Sequence, residues 1–153
     1  MSLSPLKPDS SVLVVGGGPI GLAVIYALKA RAPNCKIIVS EVSSQRKEFV
    51  KETGVDHIFD PSQVDISAEV MKITTKGVDL VFDCAGVESG LTDACKSITA
   101  RGTLVNLAIW EKPILFQPNY LVMKEGKYIC SLGYDRKDFD EVIEAISSGE
   151  LSL

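Results

Sequence analysis

No apolar run in the 153-residue sequence approaches the length needed to cross a bilayer, so a membrane-spanning helix is excluded. Lys7, set among Pro5, Pro8 and serines, is not the charged start of a signal peptide, and the expectation is a cytoplasmic protein. Lys and Arg are scattered rather than clustered, and the net charge is -4, so no electrostatic footprint for nucleic acid or an anionic membrane is present. Histidine occurs once, as His57, in a context that suits a loop or strand edge. Cys35, Cys84, Cys95 and Cys130 are far apart, with no C-x-x-C pair and no histidine at ligand spacing. A zinc site built from this chain is therefore not expected, and the four cysteines read as small apolar side chains. Internal repeats, low-complexity tracts and interdomain linkers are also missing, which leaves one globular domain.

What is present is an alternation of short β-branched runs with helical patterns, the signature of a parallel sheet covered on both faces. Val12-Leu13-Val14-Val15 is continuously apolar, as a doubly buried strand should be, and it runs directly into a glycine-rich turn. Ile20, Ala23, Val24, Ala27 and Leu28 then repeat at helical spacing until Pro33-Asn34. Further strands are expected at 36–40, 57–59, 78–82 and 103–107. Helices are expected from about Ser44 to Gly54, around Ile66 to Ile73, and around Leu91 to Ile98.

Beyond residue 107 the reading expects a short strand at Ile114-Leu115-Phe116, a helical turn at Asn119–Met123 and a sixth parallel strand at Tyr128–Leu132. A last helix is expected to be capped by Asp138 and Glu141 and closed at Gly149. The fold expected is α/β: a three-layer Rossmann domain over 11–153, with a doubly wound six-stranded parallel sheet of order 3-2-1-4-5-6. Residues 1–10 are left outside it as a flexible or extended lead-in, and Leu151-Ser152-Leu153 ends in mid-pattern.

Gly16-x-Gly18-x-x-Gly21 lies at the first strand-to-helix junction, the context in which this spacing carries a mechanism. Gly16 permits the tight turn, Gly18 lets a pyrophosphate approach the backbone, and Gly21 lets helix and strand pack closely. Pro19 and Ile20 open a helix whose N-terminal amides and dipole favour anionic phosphates. Glu41 ends the second strand, twenty residues past Gly21, where an acid accepts hydrogen bonds from the adenosine ribose and repels a 2′-phosphate. This favours NAD(H); Arg46 nearby is the residue that could admit NADP(H). Topology adds the strand ends Asp83-Cys84-Ala85-Gly86, Leu107-Ala108-Ile109 and Leu132-Gly133-Tyr134 as candidate walls of the crevice. A methyltransferase using S-adenosylmethionine, a flavoprotein and a non-catalytic dinucleotide sensor share parts of this pattern. The complete glycine spacing and Pro19 weigh against the methyltransferase.

At these residues the sequence resembles the medium-chain dehydrogenase/reductase superfamily of zinc-type alcohol dehydrogenases, in its sorbitol and butanediol dehydrogenase branch. The resemblance covers roughly Ser11 to Leu153, and its motifs are Val-Val-Gly-Gly-Gly-Pro-Ile-Gly-Leu at 14–22, Ile-Val-Ser-Glu at 38–41, Val-Asp-His-Ile-Phe-Asp-Pro at 55–61 and Phe-Asp-Cys-Ala-Gly at 82–86. Val-Asn-Leu-Ala-Ile-Trp at 105–110 points to the butanediol type. The resemblance implies that Glu41 holds the adenosine ribose, Val42 borders the adenine and Arg46 lies beside the ribose. It implies that Cys84 and Ala85 flank the cofactor, and that backbone groups around Leu107, Ala108, Ile109 and Leu132 fix the nicotinamide carboxamide. It further implies hydride transfer between NAD and a secondary alcohol, diol or polyol in a longer parent enzyme. Zinc and substrate belong there to a separate catalytic domain, so this chain alone is expected to be inactive. Homodimers paired along an edge strand near Ile114–Phe116 are the last implication.

Overall fold

The computed structural model describes residues 6–151; the first five residues of the expected lead-in and Ser152-Leu153 lie outside the described residues. Six parallel strands form one sheet in the order β3-β2-β1-β4-β5-β6, as the βαβ alternation predicts. The strands are β1 (Ser11–Val15), β2 (Lys36–Ser40), β3 (His57–Phe59), β4 (Val78–Asp83), β5 (Ile98–Asn106) and β6 (Lys127–Cys130). The helices are α1 (Pro19–Arg31), α2 (Ser44–Glu52), α3 (Ile66–Thr74), α4 (Glu88–Ser97), α5 (Asn119–Val122) and α6 (Arg136–Ser147). His57 falls on β3, at the sheet edge, with its ring stacked on Phe59.

The period-two alternation of strand side chains divides the core into two halves. Val12 and Val14 of β1 join Ile37 and Val39 of β2 on one face, under Val24, Ile25 and Leu28 of α1 and Val50 of α2. Leu13 and Val15 point the other way, with Ile38, Val81 and Leu104, and meet Ile66 and Val70 of α3 and Leu91, Ala94 and Cys95 of α4. Both faces are covered, which explains why β1 is apolar at every position after Ser11. In register, Val14 lies between Val39 of β2 and Phe82 of β4, so β1 is the strand from which the chain winds both ways.

Side chains cap the helices where the chain turns back. Ser43 accepts from the Arg46 amide at the start of α2, and Asp65 accepts from the Ala68 amide at the start of α3. At the far end of α4 the Lys124 ammonium donates to the carbonyls of Lys96 and Ile98, supplying a cation where the helix dipole favours one.

Four expectations need correction. Residues 114–116 are not a strand: Pro113 and Pro118 bracket the segment, and the Leu115 amide donates to the Glu88 carboxylate instead of to a ladder. Ile114 turns inward against the α4 side of the core and, with Leu91, Trp110, Phe116 and Tyr128, lines an apolar hollow of about 240 Å³. The free edge of the sheet on that side is β6. Secondly, α6 begins a turn earlier than the sequence suggests, and its capping box is Asp135 with Asp138 rather than Asp138 with Glu141. Thirdly, β5 takes in Ile98, which pairs with Val78 before the register shifts ahead of Leu80. Finally, residues 6–10 belong to the domain: Leu6 packs on the α1 side of the core, Ser10 is buried, and the Ser10 carbonyl accepts from the Lys36 amide.

Among the described residues no helix is long and apolar enough to cross a membrane. The packing of α1 gives a direct test. Leu28 is fully buried beneath this helix, so Leu28→Ala should cost about 2–5 kcal/mol of unfolding free energy in a urea titration, the range for a core Leu truncation that leaves a cavity.

Candidate functional site

The carboxyl ends of β1, β2 and β4 meet where the strand order reverses, and a cleft of about 350 Å³ opens there. A cleft at this position is the general ligand site of open α/β sheets. Its floor is the turn from β1 into α1. Gly16 sits at φ +95°, a conformation that side chains disfavour, and its amide donates to the Ser40 carbonyl at the end of β2. A Cβ on Gly21 would lie 1.9 Å from the Gly16 carbonyl oxygen, so α1 can seat against this turn only with glycine there. Gly18 differs from both: the nearest atom to a Cβ at this position would be an Arg46 guanidinium nitrogen at 3.8 Å. The space beside Gly18 is open to the cleft.

The first turn of α1 has no acidic residue and no side-chain cap on Gly18, and Pro19 carries no N–H. The Ile20 and Gly21 amides therefore lack intrahelical acceptors, and the positive end of the helix faces the cleft uncompensated. Chemically, this is a cradle for an anion.

Glu41 supplies the opposite character. Its side chain is 3% exposed, and its two oxygens accept from the Gly17 amide at 2.6 Å and the Ser43 amide at 2.8 Å. The Glu41 backbone amide donates to the Phe59 carbonyl of β3, so the residue is held from three sides. Arg46 reaches over from α2, with Nη1 4.0 Å from Glu41 Oε2. Two amide donors leave lone pairs on the carboxylate for a ligand hydroxyl. Val42, next in sequence, is 61% exposed at the rim, an uncovered apolar side chain beside a buried acid.

The third wall follows β4. Asp83 is fully buried; its Oδ1 accepts from the Ala85 and Gly86 amides, and its Oδ2 has no partner among the described residues. Burial holds this carboxyl above the ordinary carboxylate range, opposed by the two amide donors. Cys84 lines the cleft with its thiol pushed up to about 12, by burial first and the Asp83 charge second, so it is an inert thiol there. Ala85 packs against Gly16.

The structure thus gathers Gly16, Gly18, Pro19, Ile20, Glu41, Val42, Arg46, Cys84 and Ala85 around one cleft, with Gly21 directly behind the turn. It does not bring Leu107, Ala108, Ile109 and Leu132 there. Leu107 packs partly into the core, and Ala108 abuts Gly86; Ile109 and Leu132 are 77% and 84% exposed, past the ends of β5 and β6. Sequence reasoning omitted other wall residues: Ser40, Pro61, Val87, Ser89, Gly90 and Asp93. It also omitted Gly17, whose amide binds Glu41 and whose Cβ would fall 2.7 Å from Val50. For Gly17 the unbroken glycine triplet was the available signal; for the α4 residues nothing local distinguished them from an ordinary helix start.

Asp83 has a measurable pH signature. The folded chain binds its proton more tightly than the unfolded chain, so the buried charge subtracts stability as pH rises from the unfolded value through the raised folded value. Asp83→Asn keeps an acceptor for Ala85 and Gly86 and removes the charge. Its Tm relative to the unsubstituted chain should therefore climb across that window in thermal unfolding at stepped pH; a flat difference would refute the assignment.

Comparison with known proteins agrees with this geometry. A family described as zinc-binding dehydrogenase matches residues 19–148. The (R,R)-butanediol dehydrogenase of Saccharomyces cerevisiae is 38% identical over 158 residues, covering 100% of this chain and 41% of the relative. Among solved structures, the 2R,3R-butanediol dehydrogenase of Bacillus subtilis superposes with a TM-score of 0.89 at 38% identity, over 99% of this chain and 43% of the other. A protein described as a short chain alcohol dehydrogenase from E. coli CFT073, complexed with cofactor NADH, superposes at 0.88 with 26% identity, over 99% of this chain and 44% of that one. The chain spans about two fifths of the length of the curated relatives it matches. By the family matched over residues 19–148 and the 38% identity to a relative along the whole chain, this chain belongs to the zinc-binding dehydrogenases.

Proposed function

We propose that this chain is the NAD(H)-binding domain of a zinc-type dehydrogenase that oxidises a secondary alcohol or diol, with 2,3-butanediol as the type of substrate. The observation that carries the reading is the pairing of an open Gly18, at an uncapped helix start, with a buried Glu41 whose carboxylate is already oriented by two backbone amides. The first would take a pyrophosphate through the Ile20 and Gly21 amides, and the second would take the adenosine ribose hydroxyls. Glu41 would also repel a 2′-phosphate, while Arg46 leans toward the Glu41 carboxylate, so NAD(H) is preferred over NADP(H). Cys84 and Ala85 would border the cofactor beyond the pyrophosphate, and the backbone around Leu107, Ala108, Ile109 and Leu132 would hold the nicotinamide amide.

Bound NAD supplies a hydride acceptor and NADH a hydride donor; this chain binds and orients. Among the described residues no group of three His, Cys, Asp or Glu could hold a metal. Zinc, alcohol and their ligands fall, in this reading, to the length of the relatives that the chain does not span, and the chain alone is inactive. The same reading has the parent enzyme in the cytoplasm, in keeping with four free cysteines, two of them buried in the core. Two copies would associate along β6, the open edge beside exposed Leu115, Phe116 and Tyr128.

Calorimetric titration with NADH and NADPH tests the cofactor assignment. NADH should bind the more tightly, and Glu41→Ala should weaken it by on the order of tenfold to a hundredfold, the worth of hydrogen bonds to a charged group. Gly18→Ala separates site from fold. At φ -74° an alanine is tolerated, so the Tm should hold, with stability changed by no more than about 1 kcal/mol, while NADH binding is lost. An alanine at Gly18 that binds NADH normally would overturn the placement of the pyrophosphate.

A further inference from the structure

Asp93 lies on α4, in the helical turn after Ser89 and Gly90, and lines the same cleft as Glu41, Val42 and Pro61. It is half-buried, and among the described residues no hydrogen bond or ion pair engages its carboxylate. Burial, and secondarily the Asp65 charge, holds this carboxyl above the ordinary range, with Lys96 opposing. A partly desolvated carboxylate without a partner, in the wall of a ligand cleft, is costly unless a ligand supplies a donor.

Geometry indicates which part of a dinucleotide would meet it. With the pyrophosphate at the start of α1 and the ribose at Glu41, the base lies beyond Glu41, away from that helix terminus. The cleft there offers Val42 after β2, Pro61 after β3 and Asp93 from α4. Two apolar side chains suit the faces of a flat base, and one acid remains for its edge. An ionised carboxylate can only accept hydrogen bonds. Adenine carries a single N–H donor group, its exocyclic amine; its ring nitrogens are acceptors.

We propose that Asp93 is the residue that reads the base of the dinucleotide, its carboxylate accepting a hydrogen bond from the exocyclic amine of adenine and so selecting adenine over bases that present a carbonyl there. The inference rests on the dinucleotide reading of the cleft.

The test is fluorescence titration of the chain with NADH and with reduced nicotinamide hypoxanthine dinucleotide, in which a carbonyl acceptor replaces the amine and the donor hydrogen sits instead on the neighbouring N1. The unsubstituted chain should bind NADH about tenfold more tightly, the value of one hydrogen bond to a charged group, and Asp93→Ala should bring the two affinities to within about twofold. Asp93→Asn can accept from the amine or donate to the carbonyl, so it should gain affinity for the hypoxanthine form. Because Asp93 has no partner to lose and its charge is disfavoured where it sits, neither variant should fall below the parent Tm, and a purely structural role would not change the ratio between the two ligands. If Asp93→Ala fails to fold, Asp93→Asn carries the same comparison. Equal affinities in the unsubstituted chain, or a preference that survives Asp93→Ala, overturn the role of Asp93 while a Glu41→Ala defect leaves the dinucleotide reading in place. Binding of neither ligand, or NADH binding indifferent to Glu41→Ala, overturns both.

Discussion

The contact on which the rest depends is the absence of a side chain at Gly21. A methyl group there would occupy the position of the Gly16 carbonyl oxygen, so the helix could not seat on the end of β1. With α1 displaced, Val24, Ile25 and Leu28 would leave the sheet, and one half of the core would open. The same seating fixes where the helix starts, and so where its unsatisfied amides point. Fold and candidate site share one steric condition.

From that seating the cleft follows with few further requirements. β1 is the central strand from which the chain winds outward twice, first through α1 and α2 on one face, then through α3 and α4 on the other. Each passage returns a strand whose carboxyl end points to the same side. Glu41, Pro61 and Cys84 therefore converge although 43 positions separate the first from the last. The polar groups are few and already oriented, as in a site that recognises its ligand without rearranging.

Much of this was legible in the sequence because the decisive signals are local. A doubly buried strand, a glycine turn, a proline at the helix start and an acid at the end of the next strand need no tertiary information. The family resemblance and the sheet order agree with the matched relatives and with the topology. What was misread depended on competition. Ile114-Leu115-Phe116 has strand composition, yet two prolines and the Glu88 carboxylate remove the donors a ladder would need. Asp135 and Asp138 compete with Asp138 and Glu141 for the same capping geometry, and the extended backbone at Asp135 decides between them. Asp93 was illegible as a wall residue, because its burial is set by helices and strands distant in sequence.

Glu41 is tied, through its backbone amide, to the carbonyl of Phe59 in a strand only three residues long at the sheet edge. Short edge strands are where local opening is least costly. Any ligand that prefers the seated Glu41 must therefore also favour the closed β3, and closure of β3 must strengthen that ligand by the same factor, since linkage between two equilibria is reciprocal. Amide exchange along His57–Phe59 is thus thermodynamically coupled to occupancy of a cleft that those residues do not line.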